Sequence, residues 1–247
     1  MFFSKAGVYE AAGLYSIGHF VLFIITIIGV IIALNLTKTK KHEEIRKIIQ
    51  IIAIFLWVLE IIKILFNIAI GNEKNPNTFI PLYYCSIILY AAMFSGFSEG
   101  WLRHTGDVFI ATGGIVGGIA FICCPTTSLP MYPAFHYISI QSFVFHGIMI
   151  YLGILLNVTE YIELEKNDIK YYFSLVGIIC IISLLYNNVA DSNLMFVSKN
   201  YPGTPIEIIY NITGKTFTAW MIAIQCTAPF YIIMGIKELI NIKNVKK

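Results

Sequence analysis

The chain has 247 residues, 57% of them hydrophobic and only 13% charged, with a mean hydropathy of +0.76. A soluble domain carries about 25% charged residues, so this composition excludes one and defines an integral membrane protein. The net charge of +3 forms no nucleic-acid patch, and the absence of CxxC and HExxH patterns gives no reason to expect a metal or other cofactor. Membrane lipids are the expected partners.

Taken in chain order, Met1–Ser16 has one lysine and no basic leader, so the apolar run behind it reads as a retained first span. About 20 apolar residues cross a bilayer as a helix, and seven stretches qualify: 16–36, 48–70, 79–96, 107–123, 138–157, 171–189 and 217–238. The expected fold is all-α, a polytopic bundle of about seven transmembrane helices forming one domain over 1–247, multi-pass in the cell membrane. Spans 79–96 and 107–123 are short, which calls for tilt or bilayer thinning.

Lysine and arginine placement orients the chain. Lys38, Lys40, Lys41, Arg46, Lys47, Arg103, Lys166, Lys170, Lys237, Lys243, Lys246 and Lys247 make twelve on one side. Lys5, Lys74, Lys199 and Lys215 make four on the other. The amino terminus is therefore expected outside and the carboxy terminus in the cytoplasm. The outer connection 124–137 has Pro125, Pro130 and Pro133 and no basic residue, and 190–216 carries the turn signal NYPGTP. Gly113, Gly114, Gly117 and Gly118 form small-xxx-small steps that suit close helix packing, within the chain or between copies in a homo-oligomer. The five cysteines, two of them adjacent, imply no disulfide framework.

Polar residues interrupt these runs at a shared depth. His19, Glu60, Lys63, Cys85, His146, Asn187 and Gln225 all fall in the outer half when depth is counted at 1.5 Å per residue. Cys85 comes out roughly 9 Å deep and His146 roughly 12 Å by that count. Ionisable groups in hydrocarbon cost roughly 2.5–3.5 kcal/mol each on insertion scales, so such a layer suggests a site. Each residue also has a plainer role. Glu60 and Lys63, on one helix face, could neutralise each other. His19 and Gln225 could be hydrogen-bond partners, and Asn187 with Asp191 could cap the outer loop. Cys85 could be an inert small hydrophobe; it becomes a nucleophile only beside a base, and His146 is the one histidine deep in a span at matching depth.

Pro81-Leu82-Tyr83-Tyr84-Cys85-Ser86 resembles the Pro-Leu-x-x-Cys-Ser motif of the YwaF / transmembrane protein 164 family. Trp57-x-x-Glu60, Phe145-His146-Gly147 and the Asn187…Asn193 stretch are similar to further motifs of that family, over roughly 50–235. The resemblance implies six or seven spans. Its eukaryotic relatives are described as acyltransferases that move fatty acyl chains between phospholipids through a membrane Cys and His. It thus implies Cys85 as nucleophile and His146 as base. On that scheme Tyr84, Ser142 or Gln225 would donate to the oxyanion, Glu60 would orient His146, and Lys63 would hold the lipid phosphate. The same layer, with Asn187 and Asp191, would equally serve a small-molecule transporter or substrate-binding subunit in which Glu60 and Lys63 gate or couple to protons. Span seven has lysines only at its ends, Lys215 and Lys237, which speaks against a retinal protein.

Overall fold

The computed structural model describes residues 1–71 and 79–245, with side chains as far as Ile240. Lys74, Lys246 and Lys247, used above for orientation, lie outside the described residues, as does the side chain of Lys243.

Local chemistry starts the helices where the apolar runs begin. α1 (Ile17–Thr37) opens at Ser16, whose hydroxyl accepts the His19 N–H at 3.2 Å. α2 (His42–Ala69) opens with the Glu44 carboxylate accepting the Lys41 N–H at 3.1 Å. α6 (Tyr137–Val158) is capped by His136 Nδ1, which accepts the Ile138 N–H at 3.1 Å. The others are α3 (Ile87–Phe97), α4 (Gly100–Phe109), α5 (Ile115–Cys123), α7 (Ile169–Ala190), α8 (Pro205–Thr213) and α9 (Phe217–Val245). A π turn, Ile110–Gly114, joins α4 to α5 without a break. No strand occurs among the described residues.

Six helical stretches are long and apolar enough to cross a membrane. The third pass departs from expectation. The run 79–96 is not one helix: α3 has 11 residues, about 16 Å at 1.5 Å each, half of a hydrocarbon core of about 30 Å. Residues 79–86 form turns instead. Pro81 lacks an N–H and pushes Ile80 out of helical geometry. Non-helical backbone at this depth survives only if protein supplies its hydrogen bonds. Tyr90 Oη donates to the Pro81 carbonyl at 3.2 Å and Ser183 Oγ to that of Leu82 at 3.3 Å.

Contacts still bring successive passes to alternate faces. At one face Arg46 Nη2 donates to Ser98 O (2.9 Å) and pairs with Glu99 (2.6 Å), Arg103 reaches Tyr161 (2.8 Å), and Lys166 pairs with Glu238 (3.1 Å). This basic face joins the ends of passes one, three, five and seven. At the other, the amino-terminal segment lies across the connection 124–137: Ala12 N donates to Tyr132 O at 3.1 Å and His136 Nε2 to Ser4 O at 3.1 Å.

The α4–π–α5 unit and α6 are central, with 78% and 72% of their apolar windows buried against 11% for α1. α1 packs on α6, α2 on α3, and α7 on α4 and α9. The outer faces of α1, α2, α7 and α9 present Ile, Val and Phe to lipid. In the π turn the Ala111 carbonyl is taken by Asn157 Nδ2 at 2.8 Å, a partner from outside the helix.

Of the two roles expected for Gly113, Gly114, Gly117 and Gly118, their position serves packing within the chain: all four are buried in its own centre. A Cβ on Gly113 would sit 2.7 Å from Tyr84 Oη, and one on Gly117 2.9 Å from the Tyr84 ring. One on Gly118 would sit 2.9 Å from His146 O. The stripe lets Tyr84 and α6 approach the α5 backbone.

Candidate functional site

Cys85 stands in the turn between Pro81 and α3, half-buried, because the broken third pass leaves its last non-helical residues facing α5. Its Sγ lies 4.0 Å from the Gly117 carbonyl oxygen. One turn along α5, Phe121 stacks on the His146 ring, with centroids 3.7 Å apart and planes 8° from parallel. α5 therefore gathers both residues, the thiol through Gly117 and the imidazole through Phe121.

The His146 ring is set by its own helix. Nδ1 lies 2.7 Å from the Ser142 carbonyl, one turn earlier. A carbonyl only accepts, so the proton is on Nδ1 and Nε2 keeps its lone pair. Nε2 is buried and has no hydrogen-bond partner among the described residues. Such groups are rare in folded chains and call for an explanation. The thiol and Nε2 are not bonded to each other here, and catalytic bonds in ligand-free sites are often loose.

Glu60 and Lys63 complete the layer from α2. Lys63 Nζ lies 2.6 Å from Glu60 Oε1, with Glu60 only 2% exposed and Lys63 26%. Oε1 nevertheless lacks a well-directed hydrogen bond, so the contact is an ion pair with open valence. Lys63 is also within electrostatic reach of both Cys85 and His146. Glu60 is not bonded to His146; Ser142 O does the orienting.

The remaining expected residues divide. Tyr84 donates to Tyr172 Oη at 2.6 Å, and Tyr172 Oη donates to the Gln225 carbonyl at 3.1 Å. The Tyr84 proton is thus committed. Gln225 Nε2 donates to Met195 O at 2.9 Å while its Oε1 is buried without a partner. Ser142, half-buried beside His146, makes no side-chain hydrogen bond among the described residues, which leaves it, of the two hydroxyls, as the free one.

Asn187 is fully engaged elsewhere. Its Nδ2 donates to Leu194 O (3.0 Å) and Ser198 Oγ (2.8 Å). Its Oδ1 accepts from Ser192 Oγ (2.6 Å) and Leu194 N (2.8 Å). Asp191 is exposed and paired with Lys199 at 2.6 Å. Together they shape the loop after α7, in which Met195 and Phe196 have φ of 56° and 52°. His19 does not meet Gln225: its Nε2 bonds Ile122 O at 2.8 Å and its Nδ1 accepts from Tyr15 N at 3.1 Å. Sequence reasoning missed Phe121, Tyr172 and His136. The first two look like core aromatics in apolar runs, and the third like a loop residue.

Two surface depressions lie away from this layer. One is formed by Glu43, Arg46, Lys47 and Gln50 and the other lies between α8 and α9. Among the described residues no cluster of three metal-ligating side chains occurs.

The fold and this layer define a multi-pass helical membrane protein with a polar centre in the half nearer its amino-terminal face. The chain belongs to the TMEM164 family, whose family model matches residues 14–237. No curated protein and no solved structure matches it.

Proposed function

We propose that the protein is a cysteine-dependent enzyme of the cell membrane acting on phospholipid acyl esters, as an acyltransferase or, with water as acceptor, a hydrolase. One observation carries this reading: His146 Nε2 is a buried lone pair without a partner, held in that tautomer by Ser142 O, on the α5 surface that Cys85 also faces. A base so prepared needs a proton to take, and the Cys85 thiol, which meets the same helix α5, offers one.

The steps follow. His146 Nε2 takes the Cys85 proton and Sγ attacks the ester carbonyl. The tetrahedral oxyanion collapses to an acyl thioester, and the imidazolium returns its proton to the departing lysolipid oxygen. An acceptor hydroxyl then loses its proton to Nε2 and attacks the thioester, and the thiolate leaves and is reprotonated. On this reading the Ser142 hydroxyl, which has no side-chain hydrogen bond among the described residues, donates to the oxyanion. Lys63, partly exposed on α2, is the cation available to a phosphate. The depth of the layer, roughly 10 Å by helical rise, suits an ester at the headgroup–acyl boundary better than a soluble substrate.

Purified protein in phospholipid vesicles is the test. Cys85→Ala should lower acyl exchange about a hundredfold or more, the lower end of what such a nucleophile and base contribute. Unchanged turnover ends the reading. The ion pair of Glu60 with Lys63 favours a second one, a transporter coupled through α2. That reading requires Glu60→Gln to abolish uptake of a soluble substrate while Cys85→Ser is tolerated.

A further inference from the structure

α8 lies outside the bundle and buries none of its residues. It is nonetheless a well-made helix. Thr204 Oγ1 accepts the Ile206 N–H at 3.2 Å, Pro205 takes the first turn, and Gly214 ends it at φ 51°. Only Ile206 and Ile209 of this helix pack against the core, and the rest of its apolar side is turned elsewhere: Ile208 is 62% exposed and Ile212 79%. Short amphipathic helices of this kind lie in the membrane interface with the apolar face in the acyl boundary.

Between α8 and the first turns of α9 runs an open groove of about 450 Å³. Ile209, Ile212 and Ile224 give it apolar walls, and Thr213, Thr216 and Trp220 line it as well. The Tyr210 and Phe217 rings, 5.1 Å apart, hold the two helices at this spacing. The threonine hydroxyls donate to backbone carbonyls, Thr213 to Ile209 (2.7 Å) and Thr216 to Thr213 (2.8 Å). Two donors remain. Lys215 stands in the turn between the lining threonines, exposed and without an ion pair among the described residues. The Trp220 indole, 54% exposed, has no acceptor among them either. A free cation beside an apolar groove, with an indole N–H along it, matches one occupant by charge and polarity: a phospholipid, phosphate to Lys215, ester region to Trp220, one acyl chain between the isoleucines.

We propose that the α8–α9 groove is a phospholipid-binding site of the leaflet on the amino-terminal side. It uses neither Cys85 nor His146, so it stands or falls apart from the proposed chemistry. The test uses the whole chain in phosphatidylcholine nanodiscs containing phosphatidylglycerol with a photoactivatable group in one acyl chain. After irradiation, labelled peptides are mapped. Labelling should concentrate on residues 209–224, with α1 labelled more weakly per residue. Lys215→Gln, an exposed change that leaves the fold alone, should lower groove labelling about fivefold, or about 1 kcal/mol at 1.4 kcal/mol per tenfold. Thr216→Trp, which fills the groove, should remove it while α1 labelling persists. Labelling of α8–α9 no greater than that of α1 overturns the proposal. So does equal labelling by a photoactivatable diacylglycerol without phosphate, or cross-linking of two chains through this groove.

Discussion

Asn187 and His146 are buried polar residues of two spanning helices, and they are used in opposite ways. Asn187 has two donors and two lone pairs, and all four are engaged within the loop that follows α7. That loop holds Met195 and Phe196 in left-handed conformations, each costing about 1–2 kcal/mol for an L-residue, and the Asn187 bonds offset this. His146 has two nitrogens, one fixed on Ser142 O and the other buried with nothing to bond. On the proposed function the contrast separates glue from site. Filled valence in the membrane stabilises a fold, whereas open valence costs stability and is kept where something else is to bind.

The contrast can be broken most directly at Asn187. Asn187→Leu keeps the branched outline of the side chain and strands the N–H and carbonyl of Leu194. Thermal unfolding in detergent should show a loss of about 3 kcal/mol, from two backbone groups at roughly 1–3 each. A neutral result would mean the loop holds itself. Next in size is Gly118→Ala, whose Cβ would meet Ile150 Cγ1 at 2.6 Å and His146 O at 2.9 Å. A cost of about 1–3 kcal/mol is expected for overpacking there, measured in the same way; no cost would show that the surroundings of His146 are soft.

A smaller effect is expected at His136, the filled counterpart of His146 on the same helix. Burial holds its pKa below the ordinary 6.5, with the Ser4 carbonyl working the other way and the amino-terminal charge again lowering it. The neutral ring is the native form, since Nδ1 must accept from Ile138 N. Its contribution is therefore fully present above pH 6.5 and declines as pH falls through that value towards the lower folded one. Protection of the amides of residues 1–16, measured against the intrinsic exchange rate at each pH, should fall between pH 7 and about pH 5; protection that stays flat would remove the cap from the account. Smallest of all should be the stability change on His146→Phe. The ring keeps its stack on Phe121 and gives up only the bond to Ser142 O, so unfolding should move by less than about 1 kcal/mol. A large loss would place His146 with Asn187 as structural.

Much of this was legible in the chain. Long apolar runs fix helices through the bilayer's demand for internal hydrogen bonding, and the outer-half layer follows from counting residues along them. The third pass was misread because hydropathy averages over Pro81–Ser86 and does not register which carbonyls have lost their helical partners. The division between Asn187 and His146 was not legible either. Whether a side chain is saturated depends on groups from other segments, such as Leu194 or Phe121, whose proximity only packing decides. The glycine stripe was visible, but not that Tyr84 fills it.

The π turn at Ile110–Gly114 acts as a phase shifter. One extra residue in a turn rotates everything after it by about 100° relative to an unbroken α-helix. Gly117, Gly118 and Phe121 all lie after it, and they are the surface that gathers the thiol and the imidazole. Deleting a single residue within Ile110–Gly114 would regularise the helix and leave every side chain of the centre present. It would also swing that surface away from Tyr84 and α6, so the centre depends on the helix being imperfect at that point.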